Sequence, residues 1–222
     1  MDKYVIIVAG GQGKRMGSGI PKQFLKIGKS TILSHTINVF LKYDNSIPII
    51  IVLPINFMGL GKEIISLDFP SANISLTTGG SSRFESVKSG LQQLPDDGLV
   101  AVHDAVRPMV STKMIKKTFE GAYNFGGAIP TVKLKDSLRE INDNGTRMCV
   151  RENFMMVQTP QTFRIKNLKN AYQQEENKSA TDDSNVYENA GYNIEIVEGE
   201  YSNIKITTVD DLILMKALLN AR

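Results

Sequence analysis

The sequence predicts an α/β fold built on a mainly parallel sheet. Short apolar runs alternate with longer amphipathic ones, as in successive strand–helix units. The first apolar run opens directly into a glycine-rich turn. One long, polar, β-prone stretch then interrupts the alternation, which points to an outgrowth from the sheet.

The first run, residues 4–9 in MDKYVIIVAGG, is short, follows charges at Asp2 and Lys3, and leads straight into glycines. It reads as a buried strand rather than a signal peptide or a membrane span. Residues 30–42 place Leu33, Ile37, Phe40 and Leu41 on one helical face. Strands are expected at 48–53 and 74–77, followed by a helix over 82–94. Its apolar stripe is Phe84, Val87, Leu91 and Leu94, with Ser82 as the capping residue. Further strands are expected at 99–102, 128–132 and 193–197, and a last helix at 209–221 after Thr207 and Thr208. Residues 133–157 carry a turn cluster at 142–145 between two β-prone segments. They read as a projecting hairpin or arm, with a long solvated loop as the alternative.

At 222 residues and 41% hydrophobic, with no repeat and no linker, the chain is expected to form a single domain over 1–222. A net charge of +3, with Lys and Arg dispersed, argues against a nucleic-acid partner and suits the handling of anionic small molecules. The only cysteine, Cys149, permits no intrachain disulfide, so a cytoplasmic setting is expected. With two histidines, His35 and His103, no Cys/His cluster supports zinc, and His103 is expected to be structural.

The strongest local signal is VIIVAGGQGKRMGSGIPKQFL. Gly10, Gly11 and Gly13 follow a strand and are themselves followed by Lys14, Arg15 and Lys22. Glycines there let backbone amides converge on an anion, beyond the carboxyl end of a strand where α/β sheets bind ligands. A Walker A loop is excluded, because Val8 stands at the first glycine position and Arg15 follows Lys14. A dinucleotide fingerprint is excluded by Met16, where a small residue is required. An ordinary glycine turn with surface cations remains the plainer alternative.

GGQGKRM followed by PKQFL resembles the nucleotidyltransferase superfamily that activates sugars and sugar alcohols. GGSSRFESVKSGL (79–91), VHDAVRP (102–108), KDS (135–137), QTPQTF (158–163), TDD (181–183) and NIKITT (203–208) narrow the likeness. Together they resemble the 2-C-methyl-D-erythritol 4-phosphate cytidylyltransferase family, which acts in non-mevalonate isoprenoid synthesis; ribitol-5-phosphate cytidylyltransferases are close cousins. The resemblance covers nearly the whole chain. It implies a Rossmann-like, twisted, mostly parallel sheet flanked by helices, with a protruding β-arm for dimerisation. A homodimer is therefore expected, each arm completing the other subunit's substrate site.

The implied reaction is attack of an acceptor phosphate oxygen on the α-phosphorus of CTP, with pyrophosphate leaving and Mg²⁺ as cofactor. By resemblance, Arg15, Lys22 and Lys205 contact the triphosphate, and Asp104 joins them as a catalytic residue. Asp104 is also the candidate protein ligand for Mg²⁺, which the CTP phosphates mainly hold. The implied CTP-binding residues are Ala9, Gly10, Gly11, Gly13, Gly80, Ser81, Arg83, Ser86 and Ala105. Cytosine is expected to be read mainly by backbone groups, with Ser86 adding its hydroxyl and Arg83 orienting the loop. Position 81 is often acidic in the family and is Ser81 here. The implied acceptor-binding residues are Arg107 and Thr181, with Ser137 and Arg151 from the partner's arm; Ser137 stands where the family usually has Thr. Two other functions remain open at this point: a ribitol-5-phosphate cytidylyltransferase, and a non-catalytic nucleotide-binding regulatory module on the same fold.

Overall fold

The computed structural model describes residues 1–10, 20–143, 145–174 and 182–220. Its elements in chain order are β1 (Lys3–Val8), β2 (Lys26–Ile27), β3 (Ser30–Thr31), α1 (Ile32–Tyr43), β4 (Ile49–Leu53), α2 (Met58–Asp68), β5 (Ile74–Thr78), α3 (Arg83–Leu91), β6 (Leu99–Asp104), α4 (Thr112–Phe125) and β7 (Gly127–Lys133). Then follow β8 (Leu138–Asn142), β9 (Gly145–Cys149), β10 (Met155–Val157), β11 (Gln161–Arg164), α5 (Ile165–Gln174), α6 (Asp183–Asn189), β12 (Glu195–Glu198) and α7 (Val209–Asn220).

The central strands are apolar on both faces, as a sheet covered on both sides demands. Alternate residues feed two separate cores. Val5, Ile7, Ile49, Ile51, Leu99 and Ala101 pack on one face against α1, α2 and α4. Ile6, Ile50, Val52, Val100 and Val102 pack on the other against α3, α5 and α6. This period of two decides where the functional groups go. His103 continues the first face, with its ring 5.0 Å from that of Phe40, and Asp104 points to the α3 side. A third cluster forms where α7 lays Met215 against Ile27, Ile32, Val106 and Ile206.

β1, β4, β5 and β6 run parallel, in the order β5-β4-β1-β6. β11 inserts antiparallel between β6 and β7. β10 continues along the same edge of β7, after a two-residue register shift across the cis Thr159–Pro160 bond. β12 pairs parallel with β7 on its outer edge. The sheet is thus mostly parallel with an antiparallel insertion, which the alternation of apolar runs did not disclose. β10 and β11 are three and four residues long and rich in Met, Gln and Thr, too short for a period-two pattern to register.

The projecting hairpin is present. β8 and β9 pair only with each other and stand largely exposed, Ile141 at 82% and Met148 at 70%. Its expected bounds need correction at both ends. Lys133 closes β7, and residues 155–157 are back in the main sheet as β10, so the outgrowth covers 134–154. The helix expected over 82–94 closes at Leu91. Four helices that periodicity did not single out, α2, α4, α5 and α6, complete the two layers.

Candidate active site

At the carboxyl ends of β1, β4 and β6 lies an open cleft of about 610 Å³, bordered by Gly10, Lys22, Gly80, Arg83, Asp104 and Lys205. This is the position where parallel α/β sheets bind ligands. Three segments distant in sequence reach it because their strands or helices end there: the β1 exit, the turn before α3, and the β6 exit. A fourth, the segment before α7, is tied to the β6 exit by the Ile206 amide donating to the Val106 carbonyl at 3.0 Å.

Asp104 is the electrostatic centre. Its Oδ2 accepts from Lys205 Nζ at 3.0 Å and faces Arg107 Nε at 3.3 Å, while its Oδ1 lies 3.9 Å from Arg83 Nε. Burial raises the pKa of this carboxyl, but the positive charges of Lys205, Arg83 and Arg107 outweigh it and hold the group well below the usual carboxylate range. Lys205 remains 43% exposed at its side chain and reaches into the cleft. Arg107 is pinned by a second bond, Nη1 to the Asn203 carbonyl at 2.8 Å.

Arg83 is clamped from behind. Its Nη1 and Nη2 donate to the two oxygens of Asp183 at 2.9 and 2.6 Å, and Tyr172 donates its hydroxyl to the same carboxylate at 2.6 Å. Asp183 is fully buried. Burial first, and the neighbouring Asp183 charge next, push the Tyr172 phenol well above its ordinary pKa, so it serves as a fixed donor.

The backbone around Asp104 rests on a buried strut. Thr159 Oγ1 accepts from the Asp104 amide at 3.1 Å and lies 3.1 Å from His103 Nδ1; His103 Nε2 lies 3.1 Å from the Arg107 carbonyl. A carbonyl only accepts, so Nε2 carries the proton and Nδ1 accepts from the Thr159 hydroxyl. Burial lowers the His103 pKa to about 4 although the Asp104 charge acts the other way, so the ring is neutral at physiological pH. His103 is structural, as expected.

The turn before α3 is shaped by small residues. A Cβ on Gly79 would lie 2.6 Å from Ser86 Oγ, and one on Gly80 would overlap the Glu85 side chain. Glu85 Oε2 accepts from the Ser81 amide at 2.7 Å and the Ser81 hydroxyl at 2.6 Å, while Ser82 caps α3 through the Glu85 amide at 3.1 Å. Glu85, one helical turn on, thus places a carboxylate against the Ser81 backbone.

The structure brings together Gly10, Lys22, Gly80, Ser81, Arg83, Ser86, Asp104, Ala105 and Lys205 around one cleft, with Arg107 bonded to Asp104 beside it. Gly11, Gly13, Arg15 and Thr181 lie outside the described residues. Ala9 lines the cleft, but its amide donates to the Val52 carbonyl at 2.9 Å and its carbonyl accepts from Gln23 Nε2 at 2.6 Å. Only the carbonyl's second lone pair is left for a base, which narrows its expected role. Ser86 is buried and donates to the Ser82 carbonyl at 2.8 Å, so it offers a ligand an acceptor rather than a donor. Ser137 and Arg151 sit exposed on the arm and do not border the cleft of their own chain; Arg151 Nη1 donates to the Lys135 carbonyl at 2.6 Å.

Sequence reasoning missed Asp183, Tyr172, Gln23 and Thr159. Three of the four lay inside segments already singled out, namely TDD, PKQFL and QTPQTF, where neighbouring residues drew the attention. Tyr172 carried no signal beyond an aromatic on a helical pattern. Among the described residues no group of three or more His, Cys, Asp or Glu side chains is placed to hold a metal ion. Asp104 is the carboxylate at the cleft wall, and three cations already surround it, so a divalent ion there would need most of its ligands from a bound anion.

Comparison with known proteins agrees with this geometry. The family model described as 2-C-methyl-D-erythritol 4-phosphate cytidylyltransferase matches residues 3–221. The proteins of that name from Bacteroides thetaiotaomicron and Phocaeicola vulgatus are 43% and 40% identical to this chain, each over 99% of it and the whole of the relative. Among solved structures, the 4-diphosphocytidyl-2C-methyl-D-erythritol synthase of Anaerococcus prevotii superposes with a TM-score of 0.86 at 31% identity. That match covers 99% of this chain and 96% of the other. No helix among the described residues is long and apolar enough to cross a membrane.

The His103 strut gives a pH prediction. The ring takes up a proton at an ordinary value near 6.5 when unfolded but only near 4 when folded. The unfolded chain therefore binds more protons between those values, and stability falls as pH drops through that window. The loss approaches about 3 kcal/mol at pH 4, at ~1.4 kcal/mol per pK unit. Urea unfolding of the wild type and His103→Gln at pH 7 and pH 4.5 checks this. The wild type should lose more stability between the two than the variant, and equal losses would contradict a neutral buried ring.

Proposed function

The chain belongs to the 2-C-methyl-D-erythritol 4-phosphate cytidylyltransferase family, and we infer that its cleft transfers CMP from CTP to 2-C-methyl-D-erythritol 4-phosphate. The products are 4-diphosphocytidyl-2-C-methyl-D-erythritol and pyrophosphate, and the reaction serves non-mevalonate isoprenoid synthesis. The observation that carries this reading is the cation set gathered at one carboxylate, Asp104 with Lys205, Arg107 and Arg83, beside Gly10 and Gly80 at the carboxyl ends of parallel strands.

The chemistry asks for little covalent help. A phosphate monoester is already ionised near neutral pH, so its oxygen attacks the α-phosphorus without a general base. The barrier lies in bringing two polyanions together and stabilising charge on the crowded phosphate and on the departing pyrophosphate. Lys205 and Lys22 border the cleft from opposite ends of the chain, and Arg15 follows Gly10, Gly11 and Gly13 in the sequence. We assign these three to the triphosphate, Lys205 shared with the acceptor phosphate. Asp104 holds Lys205 and Arg107 in place before substrates arrive, so the donors need not reorganise during reaction. Mg²⁺ fits this site as an ion carried in by the triphosphate, supplying charge neutralisation, with Asp104 as its one candidate protein ligand.

Cytosine is assigned to the main chain of Gly10, Gly80 and Ser81, where small residues and the Glu85 anchor define a narrow edge. Arg107 and Thr181 are assigned to the acceptor phosphate, joined by the partner's Ser137 and the partner's Arg151. The exposed arm, whose own Ser137 and Arg151 lie away from the cleft, supports that assembly as a homodimer. We take residues 1–222 as one nucleotidyltransferase domain and place the reaction in the cytoplasm, in keeping with a lone cysteine.

Pyrophosphate release with CTP and Mg²⁺ tests the reaction directly. It should depend on 2-C-methyl-D-erythritol 4-phosphate, and release with ribitol 5-phosphate alone would move the enzyme to the cousin activity. CTP binding without release under either condition would instead support a regulatory module. The arm is tested by mixing inactive Lys22→Ala and Arg151→Ala subunits. Heterodimers contain one site with both residues intact, so activity should reappear; verified heterodimers with none would refute contacts across the dimer.

A further inference from the structure

Two carboxylates serve the cleft with different duties. Asp104 stands at the wall with Lys205 at 3.0 Å and Arg107 at 3.3 Å. Asp183 stands behind, fully buried, and takes both terminal nitrogens of Arg83. Arg83 lies between them. Its Nε is 3.9 Å from Asp104 Oδ1, at the outer limit of an ion pair, whereas its bonds to Asp183 are 2.6 and 2.9 Å.

We propose that Asp183 is a positioning residue that holds Arg83 back from Asp104 and so leaves that carboxylate to Lys205. A guanidinium satisfies a carboxylate by presenting two parallel donors, a geometry Lys cannot match. Were Arg83 free, its fork would be drawn to the nearest carboxylate, which is Asp104, in competition with Lys205. The bidentate grip of Asp183 prevents this by occupying the fork. Tyr172 donates to Asp183 Oδ1 and stacks on Phe84, the residue after Arg83, with ring centroids 4.6 Å apart. Asp182, next in sequence, caps α6 through the Asn185 amide at 3.0 Å and accepts from Gln161 Nε2 at 3.0 Å. The counter-ion is thus built into rigid structure on both sides. Asp183 touches neither the cleft wall nor, on the reading above, either substrate; it acts through Arg83.

This inference rests on the cytidylyl-transfer reading, and wild-type pyrophosphate release in the same assay separates the two. If the wild type is inactive, the activity itself is wrong; if it is active, the variants judge Asp183. Asp183→Asn keeps the shape and the Tyr172 acceptor but removes the charge. Its kcat should fall on the order of 10- to 100-fold, the scale of a misplaced catalytic group. KM for CTP should move far less, because Lys205 acts most strongly in the transition state. Asp183→Glu should recover a substantial part of the loss. A merely structural role would lower the melting temperature without that split or that rescue. A folded Asp183→Asn enzyme with wild-type kcat overturns the proposal. Should Asp183→Asn fail to fold, Arg83→Met with Asp183→Asn removes both buried charges together. That double variant also removes the competing fork, so it should fold and keep kcat within a few-fold of the wild type, with any loss of the Arg83 loop contact appearing in KM for CTP. A kcat lowered on the order of 10- to 100-fold overturns the proposal equally.

Discussion

The structure depends on how one carboxylate is placed. Asp104 ends a strand that is buried on both faces, so the alternation that buries Val100 and Val102 also fixes the side on which Asp104 emerges. Its position at the strand end lets Arg107 from the same turn, Arg83 from before α3 and Lys205 from before α7 converge on it. Cations gathered this closely repel one another. Asp104 offsets that repulsion and keeps the group assembled, which is what preorganisation requires physically.

The same carboxylate explains why distant segments are tied so closely. Thr159 in the bend between β10 and β11 supports its amide, and His103 links Thr159 to the Arg107 carbonyl. Asn203 reaches from the Lys205 segment to the Thr159 carbonyl at 2.9 Å. Gln158 bonds both the amide and the carbonyl of Glu200, standing in for a strand pair. At the root of the arm, Lys135 lies 3.8 Å over the Tyr201 ring, and Tyr201 donates to the Lys133 carbonyl at 2.9 Å. The arm and the segment bearing Lys205 therefore share one support.

Much of this was legible in the sequence. The six strands read from apolar runs are present within one or two residues; β1, β4, β6 and β7 in particular are buried on both faces and so show as continuous apolar runs. The cleft residues of the β1 exit, the turn before α3 and the β6 exit were visible as motifs. What could not be read was pairing across the chain. TDD marked residues of interest, but nothing in a linear pattern says that Asp183 grips Arg83, since that contact spans 100 positions. Likewise Gln161 sits at a strand start and bonds Asp182 and the Ser184 amide, a tertiary role with no local periodicity. The Glu85 grip on the Ser81 amide was hidden for the same reason: the carboxylate lies one helical turn away, and only the fold brings it back.

The most direct test is the single-turnover rate of Asp104→Asn at saturating CTP, Mg²⁺ and 2-C-methyl-D-erythritol 4-phosphate. The amide keeps the side chain's shape and removes the charge around which the cations are arranged. If Asp104 organises the site, CTP should still bind while the rate of CMP transfer falls by about two orders of magnitude, the scale of losing a preorganised electrostatic group. A rate close to that of the wild type would mean that the cations find their places without it, and the account built on this carboxylate would be wrong.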